Sequence, residues 1–267
     1  GTLRVESGGQ VQTPQCLVKN GSVQVRGAGA ARSTLTTSAD LEIAAGNGTA
    51  SLVIESGGKV NAQGQVLVGA PNGVGTITVS GTDPSGLGSS LAIGSNTRTI
   101  IAGAQGTQVE VSDGGDLLTT DGVIVGDKDR VGKVVVHHTT SPSGVTLHSL
   151  WSAGPGAIFV GSKNLASELT VEDGGAVNTS GEVIVGQLAD DLGKVSVSGD
   201  GSSFTCGDLV IGDDGQGAFE IGDGAHVDST TGTVGRGTLG NLPAGQTPGS
   251  GVVTIAAGQL ASAPEVH

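Results

Sequence analysis

Short apolar stretches alternate with glycine-rich and polar segments along the whole chain. One seven-residue phrase, apolar at both ends with glycine near its centre, recurs as VESGGQV at 5–11, IESGGKV at 54–60, VSDGGDL at 111–117, VEDGGAV at 171–177 and IGDGAHV at 221–227, with a shortened form, IAAGQL, at 255–260. The phrase starts are 49, 57, 60 and 50 residues apart. A period of this size is typical of repeat architectures. We therefore expect a chain built by stacking similar units.

Other short apolar segments lie between the phrases, each opened by glycine. They include GQVLVG at 64–69, GVIVG at 122–126 and GKVSVSG at 193–199. Alternating or continuous Val, Ile and Leu over a few residues, bounded by turn-forming residues, predicts short strands, and no segment has the helical period. Alternation places Val171 and Val177 inward and turns Glu172 and Asp173 toward solvent.

The number of strands in each repeat predicts how the chain coils. A period of 49 to 60 residues contains too many strands for one compact coil, so we assign two coils to each period. The first-strand openings then give about ten coils, with three short strands per coil: Leu3, Val23, Leu52, Ile77, Val109, Val134, Leu169, Val195, Phe219 and Val253. The prediction is an all-β, right-handed parallel β-helix (β-solenoid) that forms one continuous domain over 1–267, about 48 Å long.

The paired glycines of the phrase are predicted to form the corners between strands. A sharp corner needs positive backbone torsion, which glycine adopts at little steric cost. In the fifth copy the second glycine is replaced by Ala225, so we expect the first position, Gly224 there, to be the one that needs glycine. The predicted structural turn residues are Gly8, Gly9, Gly57, Gly58, Gly114, Gly115, Gly174, Gly175 and Gly224.

Departures from the repeat indicate where a local function could lie, because projecting loops vary without disturbing the core. The candidate contact loops are 82–90, 94–106, 137–155 and 235–250. The longest of them holds His137, His138, His148 and the single tryptophan, Trp151. A zinc site is disfavoured, because adjacent histidines on a strand point to opposite faces and no carboxylate or cysteine with suitable spacing accompanies them. Trp151 is interpreted as packing under its own loop rather than as a sugar platform.

Charge and composition restrict the classes of ligand and partner that the chain could bind. The net charge is −13, with Asp-rich segments GDKDR at 126–130, ADD at 189–191 and GDDG at 212–215. Calcium is the functional interpretation of these segments, but they lack the EF-hand and Gly-Gly-x-Gly-x-Asp patterns, so we favour a solvated acidic surface and predict no cofactor. Clustered Lys and Arg, which nucleic-acid binding requires, are absent from the sequence, and no membrane-inserting segment is found.

Two geometric expectations follow from the two-coil period. Glu6, Glu55 and Glu172 occupy the same position of the phrase, and two coils would separate them by about 10 Å, near the screening length in physiological salt. Cys16 falls in the first coil and Cys206 in the eighth, about 34 Å apart. An internal disulfide is therefore predicted to be impossible, which leaves reduced thiols or a bond between chains.

The phrases GxLxVxxGGxV, GxVxVG and GxVxVSGxGSxF resemble the repeats of autotransporter-type passengers and related secreted repeat proteins of Gram-negative bacteria. The resemblance is clearest from Leu169 to Val227. It implies an extracellular or cell-surface location, and families of this type are mostly adhesins or surface scaffolds without shared catalytic residues. Because Gly1 opens within a repeat, a processed form or a fragment is expected.

Three hypotheses of function result. The first is a non-enzymatic structural or adhesive solenoid that is displayed on a surface and contacts a host or cell-surface ligand. The second is a subunit of a head-to-tail filament, in which the partner is another copy of the chain, since an uncapped coil presents unpaired backbone groups. The third is a polysaccharide-binding or polysaccharide-cleaving β-helix, which the scarcity of aromatic residues and of paired acids disfavours.

Overall fold

The computed structural model describes residues 1–27, 32–94, 98–138, 148–236, 250–256 and 259–261. In these residues the chain forms strands only, numbered here in chain order: β1 (Thr2–Val5), β2 (Gln10–Thr13), β3 (Cys16–Val18), β4 (Gly21–Arg26), β5 (Thr34–Thr37), β6 (Leu41–Ile43), β7 (Thr49–Glu55), β8 (Lys59–Ala62), β9 (Val66–Val68), β10 (Val74–Ser80), β11 (Ser90–Ile93), β12 (Thr99–Ile101), β13 (Gln108–Ser112), β14 (Asp116–Thr119), β15 (Val123–Val125), β16 (Lys133–His137), β17 (Leu150–Ala153), β18 (Ile158–Val160), β19 (Ser162–Lys163), β20 (Ala166–Glu172), β21 (Ala176–Thr179), β22 (Val183–Val185), β23 (Asp191–Val197), β24 (Ser203–Ile211), β25 (Gln216–Gly222), β26 (His226–Val234), β27 (Ser250–Ala256) and β28 (Gln259–Ala261).

The strands form a parallel β-helix with three faces. The first face is one sheet of ten parallel strands in the order β1-β4-β7-β10-β13-β16-β20-β23-β25-β27. The second face runs from β2 through β5 and β8 to β28, and the third from β3 through β6 and β9 to β22. The second and third faces join at β24 and β26, because each of these long strands contributes to both faces. Each of the first nine coils therefore supplies one strand, or part of a longer strand, to each face, and the described part of the tenth coil supplies β27 and β28 to the first and second faces.

The register of the first face agrees residue by residue with the coil openings predicted from the sequence. Leu3 pairs with Val23, Val23 with Leu52 and Leu52 with Ile77, and the column continues without a shift to Phe219 and Val253. The prediction of ten coils in a parallel β-helix is confirmed. We expect the crossovers between its parallel strands to be right-handed, as nearly all such connections are.

The core is a narrow column of aliphatic side chains that point inward from all three faces. Val25, Ile54 and Val79 stack on the first face, and Leu91 and Leu117 stack on the second, all of them buried. Phe204 and Phe219 meet edge to face with ring centroids 5.7 Å apart, near the C-terminal coils. In-register stacking buries each side chain against the same position of the next coil, which explains why small aliphatic residues suffice.

Two of the predicted loops each contain a strand that packs into the core. The 94–106 segment contains β12, whose Thr99 and Ile101 point into the core, and 137–155 contains β17. The 82–90 segment is a true loop before β11. Most of 235–250 lies outside the described residues. Within the described ranges, no helix has the length and hydrophobicity needed to cross a membrane.

Candidate functional site: the first corner of each coil

The corner between the first and second faces alternates between two designs along the rod. In coils 1, 3, 5, 7 and 9 it is a four-residue turn made by the repeated phrase, closed by a backbone hydrogen bond such as Gly9 N–H to Glu6 O at 2.9 Å or Gly175 N–H to Glu172 O at 3.0 Å. In coils 2, 4, 6 and 8 it is a longer and more variable connection. The two-coil period of the sequence thus has a direct structural counterpart.

Two consecutive residues of each tight turn adopt the left-handed backbone region. The first glycine has a φ of 79° at Gly8, 81° at Gly57, 81° at Gly114, 84° at Gly174 and 79° at Gly224. The residue before it, which is never glycine, also has a positive φ: Ser7 56°, Ser56 53°, Asp113 52°, Asp173 51° and Asp223 50°. This is the pattern of a type I′ turn, for which Asp-Gly is a preferred pair. The sequence prediction overlooked this residue, although Ser or Asp at that position was the available signal.

The second glycine of the pair is needed for a different reason. A Cβ atom at Gly58, Gly115 or Gly175 would lie 2.2, 2.1 or 2.2 Å from a valine carbonyl oxygen of the preceding coil. At Gly9, in the first coil, the nearest atom would be Glu6 O at 3.0 Å. The expectation that only the first position needs glycine was therefore incomplete: torsion restricts one glycine, and close contact between coils restricts the other.

A buried serine from the next coil completes the tight turns of coils 1, 3, 5 and 7. The N–H of the left-handed glycine donates to a serine Oγ, and the four pairs are Gly8 to Ser33 at 3.2 Å, Gly57 to Ser89 at 3.0 Å, Gly114 to Ser149 at 3.2 Å and Gly174 to Ser202 at 2.9 Å. Each serine directly precedes a second-face strand and is fully or almost fully buried. The recurring serine two residues before an apolar position was the sequence signal for this contact.

The longer corners of the fourth and eighth coils carry exposed residues at their tips. In the fourth coil Pro84, Ser85, Gly86 and Leu87 are exposed, with Leu87 51 % accessible. The loop is nevertheless well anchored, because Asp83 Oδ1 accepts hydrogen bonds from Ser85 N–H at 2.8 Å, Ser85 Oγ at 2.6 Å and Leu87 N–H at 3.0 Å. These bonds lower the pKa of Asp83, with the Ser85 side chain as the main cause.

The predicted contact residues of the sixth coil separate into different environments. His137 lies in β16 with its Nε2 atom 3.0 Å from Glu110 Oε1. The His138 Nδ1 atom is buried and lacks a hydrogen-bond partner among the described residues, and His148 is exposed at the other end of the corner. The sequence argument that the adjacent histidines diverge agrees with their separate surroundings.

Trp151 is buried, which agrees with its interpretation as a residue packed under its own loop and excludes it from the contact surface, although it was placed among the candidate contact residues. It is 0 % exposed, lies in the inward column of the second face between Leu117 and Val177, and donates from Nε1 to Thr119 Oγ1 at 3.1 Å. The coil places it in the core, where its indole N–H finds a hydroxyl partner. Sequence periodicity missed this because the strand is only four residues long.

The predicted acidic column is interrupted by cationic and polar side chains. Arg26 pairs in register with Glu55 and His137 with Glu172, so the even coils insert a basic residue beside these carboxylates. Arg26 Nη2 is 2.6 Å from Glu55 Oε1. Besides the two-coil spacing, these neighbours reduce the repulsion between acidic side chains along the rod.

The Asp-rich segments do not converge on one centre. The described residues contain no group of three or more His, Cys, Asp or Glu side chains that could hold a metal ion. Asp213 of GDDG is bound by Arg236, with Nε to Oδ1 at 2.8 Å. Asp127 of GDKDR and Asp191 of ADD line one pocket on the third face, and Asp127 is paired with Arg130.

Both cysteines are free thiols, as the geometric argument predicted. Cys16 lies in β3 of the first coil and Cys206 in β24 of the eighth. Burial raises the pKa of Cys206 to about 12, with Asp208 and Asp228 adding to the effect. Burial also raises the pKa of the half-buried Cys16.

Comparisons with protein-family models, with curated proteins and with solved structures each found no match to this chain.

Proposed function

We propose that the chain is a non-enzymatic structural or adhesive solenoid that presents the even-coil corner loops to a ligand outside the cell. The alternation of corners is the observation that carries this proposal. Tight turns in the odd coils fix the rod, and the fourth and eighth coils carry exposed loop tips along the same edge. Successive loops are two coils apart, about 10 Å, so one partner could contact several of them.

Several properties of this edge suit it to contact. The tip of the 82–88 loop exposes Leu87 and Pro84 while Asp83 anchors its base, so the apolar tip is held in one conformation. Asp200 and Gly201 form the exposed tip of the eighth coil, and Ser202 bonds it to Gly174. Ordered, exposed loops on a rigid scaffold are a common design for binding surfaces.

The resemblance to autotransporter-type passengers supports the extracellular or cell-surface location in this proposal. The test of location is protease accessibility on intact producing cells. Cleavage of the full chain by an added protease, without cell lysis, is the expected result, and complete protection would contradict it.

The test of adhesion compares loop variants of the full chain. Beads coated with the protein are applied to a panel of extracellular-matrix proteins and cell-surface polysaccharides. A variant with Pro84–Leu87 replaced by Gly-Ser-Gly-Ser is expected to keep its unfolding midpoint and lose most of the adhesion. A variant with Thr76→Ser and Thr78→Ser on the outer first face serves as the control and should retain it.

Adhesion that is unchanged by the loop replacement would contradict the proposal, as would adhesion no greater than that of albumin-coated beads on every surface. The unfolding midpoint of each variant separates a lost contact from a lost fold.

End-to-end association of copies is the second candidate. In the inward columns of the first face, Leu3 is 43 % exposed where its partner Val23 is 4 %, and Ile255 is 50 % exposed where Ile221 is 1 %. Electron microscopy of the purified chain, with and without reductant, tests it. Long fibres with an axial repeat near 48 Å would favour the filament, and short single rods would reject it.

A further inference from the structure

The outer surface of the third face is apolar where the outer first face is polar. In β9, β15, β18 and β22 of the third face all three residues are apolar, as in VIV of β15 and IFV of β18, so an apolar middle side chain points outward. Ile100, Ile124, Phe159 and Ile184 lie in register along this outer column. Strands that are apolar on both sides are typical of sheets covered on both sides.

Phe159 is the aromatic residue that the core does not enclose. Of the three Phe and one Trp in the chain, Phe204, Phe219 and Trp151 are buried inside the coil. Phe159 is partly exposed and, with Ile124, forms the floor of a pocket of about 340 Å³. This volume falls in the range of about 300–1,000 Å³ found for small-molecule sites.

The walls of this third-face pocket are loops from three successive coils that are bonded to each other. They follow β15, β18 and β22. Lys163 N–H donates to Lys128 O at 2.6 Å, and Asn164 N–H donates to Asp190 O at 3.0 Å. Strand β19 also pairs with the start of β23. The pocket is therefore preformed, which lowers the entropic cost of binding.

The pocket gathers basic side chains in a strongly acidic protein. Arg98, Lys128 and Lys163 line it, although the chain has only 12 Lys and Arg and a net charge of −13. In the part of the chain that the structure describes, neither Arg98 nor Lys128 forms an ion pair with a carboxylate. Lys163 is 3.8 Å from Asp190 and half-exposed.

The carboxylates that line the pocket are already engaged by the protein. Asp127 is paired with Arg130. Asp191 Oδ2 accepts the Leu188 N–H at 3.0 Å, and burial raises the pKa of Asp191, with Asp127 and Asp190 contributing. The side chains left to meet a charged ligand are therefore the cations.

We propose that the third-face pocket binds a uronate residue of an acidic polysaccharide, with the sugar ring against Phe159 and the carboxylate facing Arg98 and Lys128. The C–H groups of a sugar ring pack on the electron-rich face of an aromatic ring. A guanidinium and an ammonium group are suited to bind a carboxylate. Ile100 and Ile124 continue the outer column beside Phe159 and are partly exposed, so a polymer could extend beyond the bound residue.

The third-face pocket is separate from the corner loops. The pocket lies among the loops that follow the third-face strands, whereas the proposed adhesive loops lie between the first and second faces. Failure of either proposal can therefore be recognised without the other.

Calorimetric titration of the full chain tests this site. Hexagalacturonate is the probe and maltohexaose the neutral comparator, at low and at physiological ionic strength. Binding of hexagalacturonate that weakens with salt, without comparable binding of maltohexaose, is expected. The double variant Arg98→Gln/Lys128→Gln should weaken binding by about tenfold or more, and so should Phe159→Leu, which keeps the site apolar but removes the ring.

Lys19→Gln, an exposed lysine in the first coil, is the matched charge control and should leave binding unchanged. Unfolding midpoints of all variants verify that the fold is retained. Undetectable binding of hexagalacturonate at millimolar concentration would overturn the proposal. Equally tight binding of maltohexaose, or full binding by both pocket variants, would overturn it as well.

Discussion

The tight odd-coil corners and the long even-coil corners occupy the same edge of the rod but obey different constraints. At Asp113 and Gly114 two consecutive residues have positive φ, and Gly115 lies against the Val79 carbonyl of the coil before it. Across the 82–88 loop, four consecutive residues are exposed to solvent. The odd corners are thus restricted by backbone geometry, whereas the even corners are restricted mainly at their bases.

The serine contacts show that the two kinds of corner depend on each other. Ser89 and Ser149 belong to even coils, yet they bind the turn glycines of the odd coils before them. An even corner can therefore vary in length only if the serine at its end still lies next to the turn glycine of the preceding coil. The repeat unit of this solenoid is a pair of coils, and the following four predictions test that statement.

Insertion of Gly-Ser-Gly should give the largest difference in stability between the two kinds of corner. Between Asp113 and Gly114 it would break the turn and its bond to Ser149, and we expect the free energy of unfolding to fall by about 3 kcal/mol or more. Between Ser85 and Gly86 the cost should stay below about 1 kcal/mol, because lengthening a surface loop costs little entropy. Urea unfolding midpoints measure both, and similar losses would refute the distinction.

Substitution of the second glycine is expected to have the next largest effect. Gly115→Ala places a methyl group against the Val79 carbonyl oxygen, and should lower the free energy of unfolding by about 2–3 kcal/mol. The control is Gly9→Ala in the first coil, where the nearest atom is 3.0 Å away, with an expected cost below about 1 kcal/mol. Equal costs at both positions would show that the coils relax around the methyl group.

Removal of one serine hydroxyl should destabilise the preceding coil. Ser89→Ala leaves the buried Gly57 N–H without its acceptor and removes the hydroxyl's bond to Ser80 O at 2.7 Å, so we expect a loss of about 1–2 kcal/mol. Amide hydrogen exchange at Gly57 should accelerate. Exchange at Gly174, whose N–H donates to Ser202 Oγ, should not change. The exposed Ser85→Ala is the control for a serine with a local role.

Substitutions at the residue before the first glycine of the turn, which has a positive φ, should give the smallest difference in the free energy of unfolding. Asp113→Val places a β-branched side chain in the left-handed region and should cost about 1 kcal/mol more than Asp113→Gly, which loses the same carboxylate without the strain. The comparison uses the same urea midpoints. A stable Val variant would mean that the turn can adopt another backbone conformation.

The sequence predicted the stacking register well but the contacts between coils poorly. The ten coil openings from Leu3 to Val253 follow from alternation and glycine spacing, because period-two patterning specifies which side chains face the core. Trp151 was misplaced, since a short strand inside a long irregular segment carries little periodic signal. The third-face pocket was also unforeseen, because Arg98, Lys128 and Lys163 come from three different coils.

The sequence by itself determined a single β-solenoid of ten coils, the glycine corners and the impossibility of a Cys16–Cys206 bond, because each of these depends on spacing along one strand or on the number of coils between two residues. Only the tertiary structure decided that serines complete the turns of the preceding coil, that Trp151 lies in a core strand and that an apolar pocket gathers basic side chains on the third face. Those features join residues from different coils, and the loops between them vary in length, so their meeting depends on where each coil brings the chain back.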